Sequence, residues 1–141
     1  MTLFLDANVV FSAAHAAQGR AQHLVALAAA GYCRLVTSAQ ALEEARRNLA
    51  LKSRGYEVRL ERALAHVRVV AEAPAPLLAW AAAEGLPPKD APILAAAAHC
   101  GAQCLVTGDA RDFGALYGRR LRGVLVLTPA QALASVLDAI G

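Results

Sequence analysis

Acids are scarce in this sequence: 11 Asp and Glu residues are spread over 141 positions, against 14 Lys and Arg. Charged residues make up only 18% and apolar ones 57%, a balance that excludes an intrinsically disordered chain. Cysteine is sparse as well. Cys33, Cys100 and Cys104 are an odd set, each in or beside an apolar stretch, and they build neither a disulfide framework nor a paired zinc spacing. Gly101 marks a helix end between Cys100 and Cys104, which assigns those two to different elements. His15, His23, His66 and His99 share no ligand-like spacing. Long apolar runs are missing too, because Arg, Glu, Gln and Pro interrupt every stretch before the ~18 residues that a bilayer requires. The amino-terminal residues carry no basic region, and Asp6 falls where a secretory signal would be apolar. These absences predict a cytoplasmic protein without a membrane segment, folded as one domain over residues 1–141.

What is present is an alternation of short β-branched or leucine-rich runs with longer alanine-rich helical runs, the pattern of an α/β fold with a parallel sheet. Strands are predicted at residues 2–5, 33–37, 67–70, 103–106 and 124–127. Helices are predicted at residues 9–15, 20–30, 39–52, 56–66, 77–84 and 91–100, with a short one around 112–117 and a last one from the Thr128-Pro129 cap to about residue 139. No repeat, low-complexity linker or internal boundary interrupts this order. No glycine loop of the phosphate-cradling kind is present. The net charge of +3 is a mild pointer to a polyanionic partner, and 12 of the 14 basic residues are Arg, which suits phosphate contacts.

The few acids fall at telling places. Asp6 directly follows the first strand, and Asp109 follows the strand at 103–106 after only Thr107 and Gly108. Asp90 opens the helix before that strand, and Glu43 and Glu44 lie early in the helix after the second. In parallel α/β sheets functional groups collect outside the carboxyl ends of the strands, where strand order reverses. Carboxylates gathered there repel one another unless a cation joins them. Oxygen-rich, partly ligating sites suit Mg²⁺ or Mn²⁺, which can activate water and neutralise a phosphodiester. The residues thus point to a metal-dependent phosphoryl-transfer or hydrolysis site. Glu43 and Glu44 stand about 100° apart on a helix, and neither falls clearly on the stripe of Leu42 and Leu49, so spacing leaves the choice between them open.

Four segments carry a family resemblance: Leu5-Asp6-Ala7-Asn8-Val9-Val10; Thr37-Ser38 with Leu42-Glu43-Glu44-Ala45-Arg46-Arg47-Asn48-Leu49; Lys89-Asp90-Ala91-Pro92-Ile93-Leu94; and Leu105-Val106-Thr107-Gly108-Asp109-Ala110-Arg111-Asp112-Phe113. In this order and spacing, over nearly the whole chain, the sequence resembles the PIN-domain ribonucleases, which include the VapC-type toxins of bacterial toxin–antitoxin pairs. The resemblance implies a three-layer α/β/α fold around a central parallel sheet. It implies catalytic, metal-ligating roles for Asp6, Glu44, Asp90 and Asp109, with Asp112 a further ligand at the rim. Thr107 is implied to orient the Asp109 carboxylate, and Asn8 that of Asp6. The implied activity is Mg²⁺- or Mn²⁺-dependent endoribonuclease cleavage that leaves 5′-phosphate and 3′-hydroxyl ends.

Arg46, Arg47, Arg111 and the cluster Arg119-Arg120-Leu121-Arg122 are candidate contacts for RNA phosphates. Trp80, Phe4 and Phe113 read as core rather than base-stacking residues. Implied partners are RNA, a cognate antitoxin docking near residues 39–65, and a second copy in a homodimer or higher oligomer. The alternative is a catalytically silent PIN-like domain that binds RNA or protein, although all four core acids are present. A phosphoacceptor signalling domain needs an acidic pair after the first strand and a lysine after the last; Asp6 stands alone, and Thr128-Pro129 follows residue 127.

Overall fold

The computed structural model describes residues 1–16 and 18–141. Among these, six strands form one sheet: β1 (Thr2–Leu5), β2 (Arg34–Ser38), β3 (Val67–Val70), β4 (Cys104–Val106), β5 (Arg120–Leu121) and β6 (Val124–Leu127), in the order β3-β2-β1-β4-β6-β5. All neighbours are parallel except β5 and β6. The helices are α1 (Ala7–His15), α2 (Arg20–Ala29), α3 (Ala39–Lys52), α4 (Tyr56–Leu64), α5 (Ala75–Ala83), α6 (Ala91–His99), α7 (Ala110–Phe113) and α8 (Pro129–Ile140). No helix is long and apolar enough to cross a membrane among the described residues.

The two-residue period of the strands sorts their side chains into two cores. Leu3, Leu5, Leu35, Cys104, Val106 and Leu127 face one layer, packed with residues of α1 to α4 and α8. Phe4, Val36, Leu105, Val124 and Val126 face the other, packed with residues of α5, α6 and α7. The architecture is therefore the three-layer α/β/α fold. On α6, Ile93 through Ala97 are all buried, and the run of alanines lets that helix lie close against the sheet. Phe4 and Phe113 are wholly buried, whereas Trp80 is half-buried under Arg122, whose guanidinium sits 4.9 Å from its ring centroid. Cys100 ends α6 and Cys104 lies in β4, so the two do occupy different elements.

The structure differs from expectation in an added edge strand and in two helix starts beside the site. β5 is an additional antiparallel edge strand. Its two-residue turn, Arg122-Gly123, has both residues in the left-handed region (φ 48° and 81°), the hairpin geometry that matches strand twist. A strand of two residues is too short to show periodicity, and here it lies inside an arginine run. α1 begins at Ala7 rather than residue 9, because Asp6 caps it directly through a 2.7 Å bond from the Ala7 N–H. The short helix begins at Ala110 rather than residue 112, because Asp109 accepts from the Asp112 N–H at 3.1 Å; a 3₁₀ turn, Gly114–Leu116, follows.

The chain leaves β1 towards β2 on one side and returns to pair β4 with β1 on the other. The carboxyl ends of β1 and β4 are thus the switch point of the sheet, where helices diverge and leave a crevice. Asp6 and the Thr107–Asp109 turn leave the sheet at that point.

Candidate active site

Asp6, Asn8, Glu44, Asp90 and Asp109 line a single cleft of about 290 Å³ above the switch point, together with Phe11, Asn48, Lys52 and Lys89. Four elements supply them: the end of β1 with α1, the middle of α3, the start of α6, and the turn after β4. A larger cavity of about 500 Å³ lies at the opposite end of the sheet, around Arg34, His66 and Arg68. No carboxylate lines it, so the chemistry of the acids belongs to the smaller cleft.

Asp6 is 3% exposed, and the fold itself supplies its partners. Oδ1 accepts from the Ala7 N–H at 2.7 Å; Oδ2 accepts from the Thr107 hydroxyl at 2.7 Å and from Asn8 Nδ2 at 3.0 Å. A carboxylate offers about four lone-pair sites, so roughly one is left over, on Oδ1. Burial raises the Asp6 pKa above the ordinary carboxylate value, against the lowering effect of these hydrogen bonds, and the charge of Glu44 adds to the rise. Asn8 also accepts the Gly108 N–H on Oδ1 at 2.7 Å, tying α1 to the turn after β4. A Cβ at Gly108 would stand 3.3 Å from that same oxygen, so the close approach favours glycine there. Tyr117 steadies the turn from behind by donating to the Thr107 carbonyl at 2.7 Å.

The outer acids are held differently. Asp90, Asp109 and Asp112 each present an oxygen within 4.8 Å of the others. Asp90 stands at the start of α6 without capping it, so no main-chain N–H of that helix occupies its carboxylate. Burial and the neighbouring Asp112 carboxylate push Asp90 up to about 6, although Lys89 pulls the other way. Lys89 Nζ lies 3.1 Å from Asp90 Oδ2, 3.0 Å from Asp112 Oδ2 and 4.0 Å from Asp109 Oδ2. The contact with Asp112 raises the Lys89 pKa and holds Asp112 below its usual range.

Each acid that the family resemblance implies as a ligand therefore reaches this region, but not in one undivided cluster. Asp112, expected at the rim, belongs to the tight trio with Asp90 and Asp109, which includes neither Asp6 nor Glu44, and does not itself line the cleft. Thr107 departs from expectation: its hydroxyl serves the Asp6 carboxylate and accepts the Asp109 main-chain N–H at 3.1 Å, rather than touching the Asp109 side chain. Glu44 lines the cleft, whereas Glu43 is 72% exposed and pairs with Arg47 at 3.7 Å. Arg46 pairs with Glu61 at 3.3 Å, and neither Arg46, Arg47 nor Arg111 lines the cleft. Arg119 pairs with Glu84 at 4.0 Å on another surface. Lys89, Lys52 and Asn48 join the cleft without any role expected from the sequence. Glu44, Asn48 and Lys52 recur every four residues, a helical stripe that points to a shared face.

The PIN domain family model matches residues 2–111, a span that includes Asp6, Glu44, Asp90 and Asp109. The chain belongs to the PIN domain family. Among solved structures, VapBC2 from Rickettsia felis, bound to a DNA fragment from its promoter, is similar at a TM-score of 0.67 and 16% identity, covering 91% of this chain and 98% of that one. FitAcB from Neisseria gonorrhoeae gives 0.60 at 22% identity, with the same coverage of 91% and 98%. VapC20 from Mycobacterium tuberculosis, a sarcin–ricin-loop-cleaving toxin, gives 0.56 at 20% identity, covering 80% of this chain and 94% of that one. At these identities the likeness is one of fold. No curated protein matches the chain in sequence.

Proposed function

We propose that this PIN domain is a divalent-metal-dependent endoribonuclease and the toxin of a toxin–antitoxin pair. The observation that carries the reading is the convergence of Asp6, Glu44, Asp90 and Asp109 on one cleft at the switch point of the sheet, with Asp112 beside them. The donor set fits a hard cation: three carboxylates within 4.8 Å of one another, all oxygen, with no thiolate or imidazole among the cleft residues. Asp90, Asp109 and Asp112 would hold Mg²⁺ or Mn²⁺, with Asp6 and Glu44 facing the same space. Such an ion neutralises charge on a phosphodiester and makes a nearby water more acidic.

The chain's own residues orient and exclude. Thr107 and Asn8 fix the Asp6 carboxylate, so its remaining lone pair is presented in one direction. Glu44 and Asp6 offer acceptors for a proton from an attacking water. Lys52, stacked 5.9 Å over the Phe11 ring, presents a cation at the cleft for a flanking RNA phosphate. The solved relatives named above include a VapBC pair and an RNA-loop-cleaving toxin, which favours RNA as substrate and an antitoxin as partner. Leu51 and Val58 are 83% and 58% exposed on α3 and α4, apolar surface suited to such a partner.

The test is cleavage of single-stranded and hairpin RNA by the full chain with Mg²⁺ or Mn²⁺. Asp6→Asn is expected to lower the rate by about 1,000-fold or more, because it removes a charge and turns an amide donor towards the donors that Asp6 now satisfies. EDTA is expected to abolish cleavage and Mn²⁺ to restore it. Cleavage that survives chelation, or an undiminished Asp6→Asn variant, overturns the proposal.

A further inference from the structure

The sequence has only two lysines, Lys52 and Lys89, and both line the acidic cleft. Lys89 goes further than lining it. Its ammonium stands 3.1 Å from Asp90, 3.0 Å from Asp112 and 4.0 Å from Asp109, between the three carboxylates that lie within 4.8 Å of one another. An ammonium so placed makes charge-assisted hydrogen bonds to two acids at once, and it occupies the position from which a small cation would gain the most.

The main chain at Lys89 is anchored while its side chain is free to leave. Gln40 Nε2 donates to the Lys89 carbonyl at 3.2 Å, the Asp90 N–H donates to the Pro87 carbonyl at 2.9 Å, and two prolines precede the lysine. The Lys89 side chain is 61% exposed, against 8% for Asp90 and 17% for Asp112. Rotation of its flexible stem alone can therefore carry the charge into water, with the acids left where they are.

Resting on the nuclease reading above, we infer that Lys89 is a tethered counter-ion that competes with the divalent cation for Asp90 and Asp112. With no ion bound, the lysine offsets repulsion within the trio and keeps the acids in place. When an ion binds, it and the ammonium repel each other across the same carboxylates, and the ammonium swings out. Metal affinity is then set by the lysine as well as by the acids, and the released ammonium becomes available to a phosphate at the cleft mouth.

The experiment measures Mn²⁺ binding by titration calorimetry on the full-length wild type, Lys89→Met, Lys89→Gln and Lys89→Arg, with thermal melts in EDTA and in Mn²⁺. Removing the charge is expected to tighten Mn²⁺ binding by about fivefold, the upper end of what one partly exposed ion pair is worth. The neutral variants are expected to melt below wild type in EDTA and to gain more from Mn²⁺, whereas Lys89→Arg stays close to wild type. If only one neutral variant folds, that one is read. Neutral variants that bind Mn²⁺ no more tightly than wild type overturn the inference, and if wild type still cleaves RNA with Mn²⁺ in that case, the nuclease reading stands. Wild type that neither binds Mn²⁺ nor cleaves, alongside neutral variants equally inert, overturns both.

Discussion

On the inner side of the cleft Asp6 gives its carboxylate to three donors built into the fold, whereas on the outer side Asp90 and Asp112 rest on the single ammonium of Lys89. The inner partners are an N–H of α1, an amide and a hydroxyl, all fixed by β1, β4 and their turns. The outer partner is the tip of a mobile side chain. A carboxylate satisfied by main chain and short side chains is set at folding. One satisfied by a lysine can exchange its partner for an ion without any change of backbone.

After the loss expected at Asp6, the next largest effect falls on the outer side. Asp90→Asn should lower RNA cleavage by about 100-fold or more, since it removes a charge from the trio. It should also make the ion-free protein more stable at neutral pH. The folded pKa of Asp90, about 6, lies above the unfolded value of 3.8. Protonated Asp90 is therefore favoured by the fold, and this contribution is complete below the unfolded value and lost as pH rises through the folded one. Melts in EDTA should show Asp90→Asn ahead of wild type by roughly 1–2 kcal/mol above pH 6, with the gap closing towards pH 4. A gap that widens on acidification would reverse the sign and sink the account.

A smaller effect separates the two adjacent glutamates. Glu44→Gln should weaken Mn²⁺ binding and cleavage by about tenfold, and Glu43→Gln should change neither, because its carboxylate is 72% exposed and turned to Arg47. Calorimetry and initial rates on the two variants decide it; equal losses would mean that Glu43 also reaches the cleft. The smallest effect tests the inner side. Thr107→Val leaves Asp6 Oδ2 with Asn8 alone, and is expected to cost about 1–2 kcal/mol in denaturant unfolding. Thr107→Ser, which keeps the hydroxyl, should recover most of that loss. If valine is as stable as serine, the inner acid does not depend on Thr107 as the 2.7 Å contact implies.

Much of this is legible in the sequence alone. The five longer strands, the α/β alternation and the placement of Asp6 and Asp109 at strand ends follow from apolar runs broken at acids, because the local pattern and the buried outcome agree; the three-layer arrangement is what the family resemblance implies. β5 escaped because two residues inside an arginine run carry no periodicity. The choice of Glu44 over Glu43 was open when judged against Leu42 and Leu49, yet the buried stripe of α3 is Ala41, Ala45 and Leu49. Alanine marks that face as plainly as leucine once a helix packs tightly. The Lys89 contact joins the start of α6 to Asp112, 23 positions on. Sequence spacing does not determine such a meeting; it depends on where α7 lands after β4.

One consequence of strand order concerns synthesis. β1 is made first yet lies in the interior of the sheet, and Thr107, which completes the Asp6 hydrogen bonds, follows 101 residues later. At ribosomal speeds of about 5–20 residues per second, the nascent chain spends roughly 5–20 s with Asp6 made and its far partner still unwritten. For that interval the pocket does not exist, whatever the emerged segment has folded into. The chemistry of the cleft can begin only after Thr107 has joined the chain.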